Sequence, residues 1–239
     1  MIIGLRCPMF LSTPCTMTGN RFLSLALAGV LASASAAPAV AQSKGNDLLD
    51  RAVAAWARVK TARATFDQSI VNPLTGNTLT SSGEYQQQRP GKLSVRFNDP
   101  ATDRIVADGK YVWLYLPSTT PGQVIRSRLG EGGTGTVDLS AQFLTSPRSR
   151  YDITALGAKT VAGRATHGYR LVPKAVHDAP FKTAVVYIDD ANATVRQFEV
   201  TEQSGLQRTV TLTSYRTNVP VDSKAFTFTP PAGTRIVNR

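Results

Sequence analysis

The tightest constraint on this chain is the stretch Asp108-Gly109-Lys110-Tyr111-Val112-Trp113-Leu114-Tyr115-Leu116-Pro117. Asp-Gly is a strong hairpin signal, because both central positions of a two-residue turn need positive φ. The run Arg104-Ile105-Val106-Ala107 before it is therefore expected to pair antiparallel with the run after it. Beyond the turn, Tyr111, Trp113 and Tyr115 fall on one face and Val112, Leu114 and Leu116 on the other. A sheet with one solvated face carries polar residues at every second position, and here neither face does. Two readings are open: a central strand packed on both sides, or a sheet with one face lined for an apolar ligand.

The first forty or so of the 239 residues do not belong to that sheet. An acid-free segment ends at Arg21, residues 22–31 form a short apolar core, and Ala39-Val40-Ala41 is a small-x-small site followed by Gln42. That order predicts a cleaved secretory signal peptide over 1–41, too short in its apolar part to span a bilayer. Residues 42–239 are then one exported domain, large enough to bury a core without cross-links. Cleavage would remove Cys7 and Cys15, the two cysteines, and with them any disulfide or thiol chemistry. Neither cysteine follows the small-residue box of a lipoprotein, so a soluble product is expected.

The whole chain carries a formal charge of +11; removing Arg6 and Arg21 takes 27 basic residues to 25, which against 16 acids leaves +9. A basic balance favours nucleic acid, acidic lipid or an acidic partner. An exported protein meets little nucleic acid, and Arg96, Arg104, Arg126, Arg128, Arg148, Arg150, Arg170 and Arg208 are scattered rather than gathered into a stripe. Anionic membrane surfaces or an acidic protein are the expected partners, and nucleic acid is not.

Asn46 or Asp47 can cap a helix running to about Lys60, with Leu49, Val53, Trp56 and Val59 as its apolar stripe. The period then changes to two, giving strands near 64–71, 78–88, 92–97, 104–107, 111–116, 123–129, 151–156, 166–172, 181–188, 195–201 and 207–215. Gly83 interrupts the second and reads as a bulge. A short helix is expected over 138–145, after the glycine-rich run 130–136, which lacks the ending of a phosphate loop and reads as a surface loop. About eleven antiparallel strands with short connections form a strongly twisted sheet curling towards an incomplete barrel. The two helices would close its opening.

Little in the sequence can do chemistry. His167 and His177 are the only histidines and stand far apart, so no metal cluster is expected. No Gly-x-Ser-x-Gly turn is present. Asp189-Asp190 reads as a solvated hairpin tip whose side chains point apart, not as a catalytic pair. With no catalytic residues, metal or cofactor to assign, a binder or carrier is expected rather than an enzyme.

These elements resemble the LolA family of periplasmic carriers, which escort lipoproteins from the inner to the outer membrane. The resemblance runs from about Asp47 to Gly233. It rests on Phe66-x-Gln68, Arg89-Pro90, Ile105-Val106-Ala107-Asp108-Gly109-Lys110-x-x-Trp113-x-Tyr115, Leu171-x-Pro173-Lys174, Gln197-Phe198 and Phe226-Thr227-Phe228-x-Pro230-Pro231-x-Gly233. It implies a mainly β, incomplete antiparallel barrel closed by short lid helices, as in LolA and LolB, around a cavity for acyl chains. Arg89 matches the family's lid latch, an arginine that bonds main-chain carbonyls and holds the empty carrier shut. The residues expected around the cavity are Trp56, Val59, Phe66, Leu93, Val95, Ile105, Val112, Leu114, Ile188 and Phe198. The aliphatic face of the central hairpin is assigned to the cavity because Arg104 is expected opposite Trp113 on the other face, where an arginine over a ring suits a solvated wall. Trp56 departs from the aliphatic lid residue usual in the family, and Leu93 from an aromatic at the rim. Implied partners are acylated lipoproteins, an inner-membrane lipoprotein-releasing ABC transporter and, left open, an outer-membrane lipoprotein receptor, for a carrier working as a monomer in the periplasm. Two other classes stay open: a lipid- or lipoprotein-sensing periplasmic regulator on the same half-barrel, and a secreted hydrolase.

Overall fold

A computed structural model describes residues 39–130, 138–175 and 179–239. The expectations for residues 1–38, the glycine-rich 131–137 and His177 lie outside the described residues. Helix α1, Ala39–Ala57, leads directly into the sheet. The expected start at Asn46 or Asp47 is too late, so the cleavage point expected after Ala41 falls in the helix's first turn.

Twelve strands follow: β1 Thr61–Val71, β2 Thr78–Gln88, β3 Lys92–Asp99, β4 Arg104–Asp108, β5 Tyr111–Tyr115, β6 Gln123–Arg128, β7 Tyr151–Val161, β8 Arg164–Pro173, β9 Phe181–Asp189, β10 Val195–Glu202, β11 Gln207–Thr217 and β12 Arg235–Asn238. They form one open sheet in the order β12-β6-β5-β4-β3-β2-β1-β11-β10-β9-β8-β7. Within β1–β6 and within β7–β11 consecutive strands pair antiparallel, most of them through short connections. The chain passes from β6 to β7 by way of residues 129–150, and β1 pairs with β11 to join the two halves. β12, a four-residue strand, is added parallel to the β6 edge; the sequence reading ends at Gly233 and misses it.

The central hairpin forms with its register two residues from the expected one. Gly109 and Lys110, not Asp108 and Gly109, are the turn positions, so Arg104 faces Tyr115, and Val106 faces Trp113. Asp108 instead closes β4 and ties the turn together, its Oδ1 accepting from the N–H groups of Lys110 (2.8 Å) and Tyr111 (2.7 Å) and its Oδ2 from Trp113 Nε1 (2.9 Å). A shift of two preserves the faces. The aromatic residues therefore do lie on the outer side, where the guanidinium above Trp113 is that of Arg126, at 5.4 Å, rather than Arg104. Phe228 covers Trp113 and Tyr115 from the C-terminal segment, ring centroids 5.8 Å apart in both cases. β5 is thus covered outside, while on the inside Val112 is buried and Leu114 half-buried.

Two bulges bend the middle of the sheet, one at Thr65/Phe66 against β11 and one at Ser82/Gly83 against β3. A Cβ on Gly83 would stand 2.3 Å from the Arg96 carbonyl oxygen and 2.9 Å from the Phe66 ring, so only glycine fits that approach. The curled inner face is covered by α1, through Leu48, Leu49, Ala52 and Trp56, and by α2, Leu139–Leu144, through Phe143 and Leu144. Phe143 meets Tyr151, Phe181 and Phe198 at 5.4–6.3 Å. A further turn of helix, α3, Pro147–Arg150, ties to α1 by a forked Arg148–Asp50 pair. Both partners are exposed, so the pair adds at most about 1 kcal/mol.

Asp189-Asp190 is not a solvated tip. Asp189 is buried and paired with Arg164 and Arg196, at 2.8 and 3.0 Å. Asp190 bonds His167 Nδ1 at 2.7 Å. The two side chains do point apart, as expected for neighbours in a turn.

Candidate functional site: a lidded apolar cavity

The inner face forms a half-open cavity of about 520 Å³, within the range of about 300–1,000 Å³ usual for ligand sites. Its wall follows from strand alternation. Val95 and Phe97 of β3, Ile105 of β4, Leu114 of β5 and Ile125 of β6 point in from one half of the sheet. Phe66 of β1, Phe181 of β9, Phe198 and Val200 of β10, and Val210 and Leu212 of β11 point in from the other. Ser140 and Gln142 of α2 reach it from above.

Chain geometry places Arg89 at the C-terminal end of α1. β1 starts four residues after α1 ends, and Thr61 pairs with Gln88, so the residue after β2 lies beside the helix C-terminus, where Arg89 N donates to Lys60 O at 2.8 Å. Arg89 Nη1 donates to the carbonyls of Trp56 (2.9 Å) and Val59 (3.2 Å), and the guanidinium lies 4.6 Å from the Trp56 ring centre. The last carbonyls of a helix lack intrahelical partners and carry the negative end of its dipole. One arginine from the turn after β2 supplies both donors and charge.

On the side of Arg89 the cavity wall turns polar, with Tyr85, Tyr215 and Gln142. Asp138 caps α2 by accepting from the Ala141 N–H at 3.0 Å, and its other oxygen accepts from Gln87 Nε2. Burial pushes the Asp138 carboxyl up, against the pull of these bonds and of Arg89. Burial, then the Asp138 and Tyr215 charges, pushes the Tyr85 hydroxyl well up, and burial and Asp138 do the same to Tyr215. Both phenols border the cavity as neutral groups.

Of the ten residues expected around the cavity, Phe66, Val95, Ile105, Leu114 and Phe198 line it. The other five do not. Leu93 and Val112 lie on the same inner face but are packed with Ala107 in a small cluster of their own. Trp56, Val59 and Ile188 are buried in the core that joins lid to sheet. Alternation identifies the face; it does not say where along a strand the lid closes down. The sequence reading also leaves out Arg208 and Glu202, which line the cavity alongside Gln68. Each is in phase with its strand's apolar face, Glu202 after Phe198 and Val200, Arg208 before Val210 and Leu212. A charge in that phase is the signal that marks them.

The profile of a family described as outer membrane lipoprotein carrier protein LolA matches residues 57–229. The outer-membrane lipoprotein carrier protein of Pectobacterium atrosepticum is 27% identical over 176 residues, covering 74% of this chain and 80% of the relative. That of Erwinia tasmaniensis is 28% identical over 208 residues, covering 87% and 93%. Among solved structures, an uncharacterized conserved protein from Thermus thermophilus superposes with a TM-score of 0.51 at 14% identity, covering 81% of this chain and 98% of that one, a likeness of fold. The profile spans well over half the chain, from the end of the lid helix through every antiparallel strand. The chain belongs to the LolA family of outer membrane lipoprotein carrier proteins.

Proposed function

We propose that this chain is a periplasmic carrier that takes the acyl chains of lipoproteins released from the inner membrane by an ABC transporter and delivers them to the outer membrane. Residues 1–41 serve export and are removed, which the mass of the exported chain reports. The observation that carries this reading is an apolar cavity on the inner face of a sheet that α1 and α2 cover, with the end of α1 held by Arg89 through the Trp56 and Val59 carbonyls and the Trp56 ring. An acyl chain in water costs about 0.8 kcal/mol per methylene, so a carrier has to shelter it. A lid that gains bonds of its own on closing competes with the cargo and favours release. Trp56 works on the other side of that balance, since its indole N–H is buried without a hydrogen-bond partner among the described residues, a cost of about 1–3 kcal/mol in the closed form.

Leu114 points into the cavity and Trp113 away from it, so one pair of variants tests the reading. Leu114→Glu places a carboxylate in the acyl path, and binding of an N-palmitoylated peptide should fall about 100-fold or more. Trp113→Glu should bind as wild type. In cells whose only copy is Leu114→Glu, lipoproteins should accumulate in the inner membrane. Equal binding by both variants would remove the cavity from the proposal.

A further inference from the structure

Three charged residues stand on the cavity wall. Arg239 sits at the β6 edge, its N–H bonded to Arg126 O. The other two, Glu202 and Arg208, face each other across β10 and β11. Arg208 donates to Glu202 Oε1 from Nη2 at 2.9 Å and from Nε at 3.2 Å, and to Gln68 Oε1 from Nη1 at 3.0 Å. Gln68 is oriented in turn, its Nε2 donating to Ser81 Oγ at 2.9 Å, so its oxygen is the atom presented to the guanidinium. This cluster lies four to six residues along β1 from the Tyr85 and Tyr215 level of the wall, since Gln68 and Ile70 pair with Val210 and Arg208 while Ala64 pairs with Tyr85 and Tyr215.

A lone arginine in an apolar cavity is a receptor for a carboxylate or phosphate. Here its charge is already cancelled, and three of its five N–H groups are engaged. The remaining two can donate to an uncharged carbonyl oxygen. A ligand carboxylate would instead set a second anion beside Glu202, on a half-buried stretch of wall where like charges repel. We infer that Gln68, Arg208 and Glu202 form a headgroup selector that admits acyl chains joined through uncharged ester or amide linkages and rejects free fatty acids, an inference that rests on the cavity's proposed role as an acyl site. A cell envelope contains both kinds of chain, and a carrier without such a filter would be occupied by the wrong one.

Calorimetric titration with glycerol monolaurate and with laurate at pH 8, below their micelle concentrations, compares equal chains that differ in headgroup charge. Wild type should prefer the monolaurate by about tenfold or more. Glu202→Gln leaves Arg208 unbalanced and should lower that ratio by about tenfold. The double variant Glu202→Gln/Arg208→Gln is neutral again and should restore the preference, which separates charge from packing. Equal affinity of wild type for the two ligands, or tighter binding of laurate, overturns the selector whether or not the variants fold. So does a ratio that Glu202→Gln leaves unchanged while Arg239→Gln shifts it. If wild type binds neither ligand, the acyl reading of the cavity falls as well; monolaurate binding without discrimination removes the selector alone.

Discussion

Asp189 shows what a single buried carboxylate does for this sheet. It receives Arg164 Nε at 2.8 Å, the Ala191 N–H at 2.9 Å and Arg196 Nε at 3.0 Å, so one side chain fixes the turn after β9 and joins it to β8 and β10. Burial works against its charge, but the bonds from Arg164, Ala191 and Arg196 together hold its carboxyl below the usual range. A depressed carboxylate contributes stability that is complete above its unfolded value of about 3.9 and is lost as pH falls through the lower folded value. Asp189→Asn should cost about 3 kcal/mol near neutral pH, because it leaves Arg196 buried without a counter-charge. Its denaturation midpoint should drop accordingly, and the variant should lack the part of acid unfolding that wild type shows below about pH 4. A variant with the wild-type midpoint at neutral pH would mean that Arg196 finds its compensation elsewhere.

At the scale of elements, the short helix α2 depends on Asp138. Six residues cannot hold a helix in water by propensity; its N-cap and the burial of Phe143 and Leu144 hold it over the cavity. The same carboxyl is pushed up by burial, which reverses the sign found at Asp189. Between the unfolded and the raised folded value the folded chain keeps a proton that the unfolded chain has released, so stability falls as pH rises through that window and stays lower above it. Asp138→Asn keeps an acceptor for the Ala141 N–H while removing the charge, and stability measured across pH 4–7 should be flatter than wild type. Asp138→Ala removes the cap and should cost about 1 kcal/mol. The elements were largely legible in advance, because period-two alternation and Asn, Asp and Gly turns are local signals. Those that were not legible depend on partners far away in sequence. β12 has only Ile236-Val237 as an apolar signal and exists because the β6 edge is there to receive it. The register of the central hairpin was missed because Asp108 uses its side chain to staple the turn instead of occupying it. Most of the cavity wall was missed as a site, Glu202 and Arg208 included, since depth along a strand depends on where α1 and α2 come down.

If the chain carries acyl cargo as proposed, its open sheet and α1 must exchange closed and loaded forms. α1 is attached to the inner face by Leu48, Leu49, Ala52 and Trp56, burial that an acyl chain in the cavity would have to rearrange. Arg89 adds a term present only when the helix end lies against β2: two bonds from a charged donor, worth about 1.5–3 kcal/mol. Leucine has no donor to offer the Trp56 and Val59 carbonyls, so Arg89→Leu should raise the open population by about 10–100-fold. The sheet, which does not use this side chain, should keep its unfolding midpoint. Amide exchange of residues 55–59 should quicken by the same factor, while exchange in β8 and β9 stays as it was. With Trp113→Phe as background, Trp56 is the one remaining tryptophan, so its emission should shift towards that of exposed indole. Because an open lid still accepts cargo but no longer gains by closing, the variant should accumulate in the acylated-peptide-bound form and hand cargo on slowly. If Arg89→Leu protects residues 55–59 as wild type does, those bonds do not hold the lid, and closure rests on the apolar face of α1 alone.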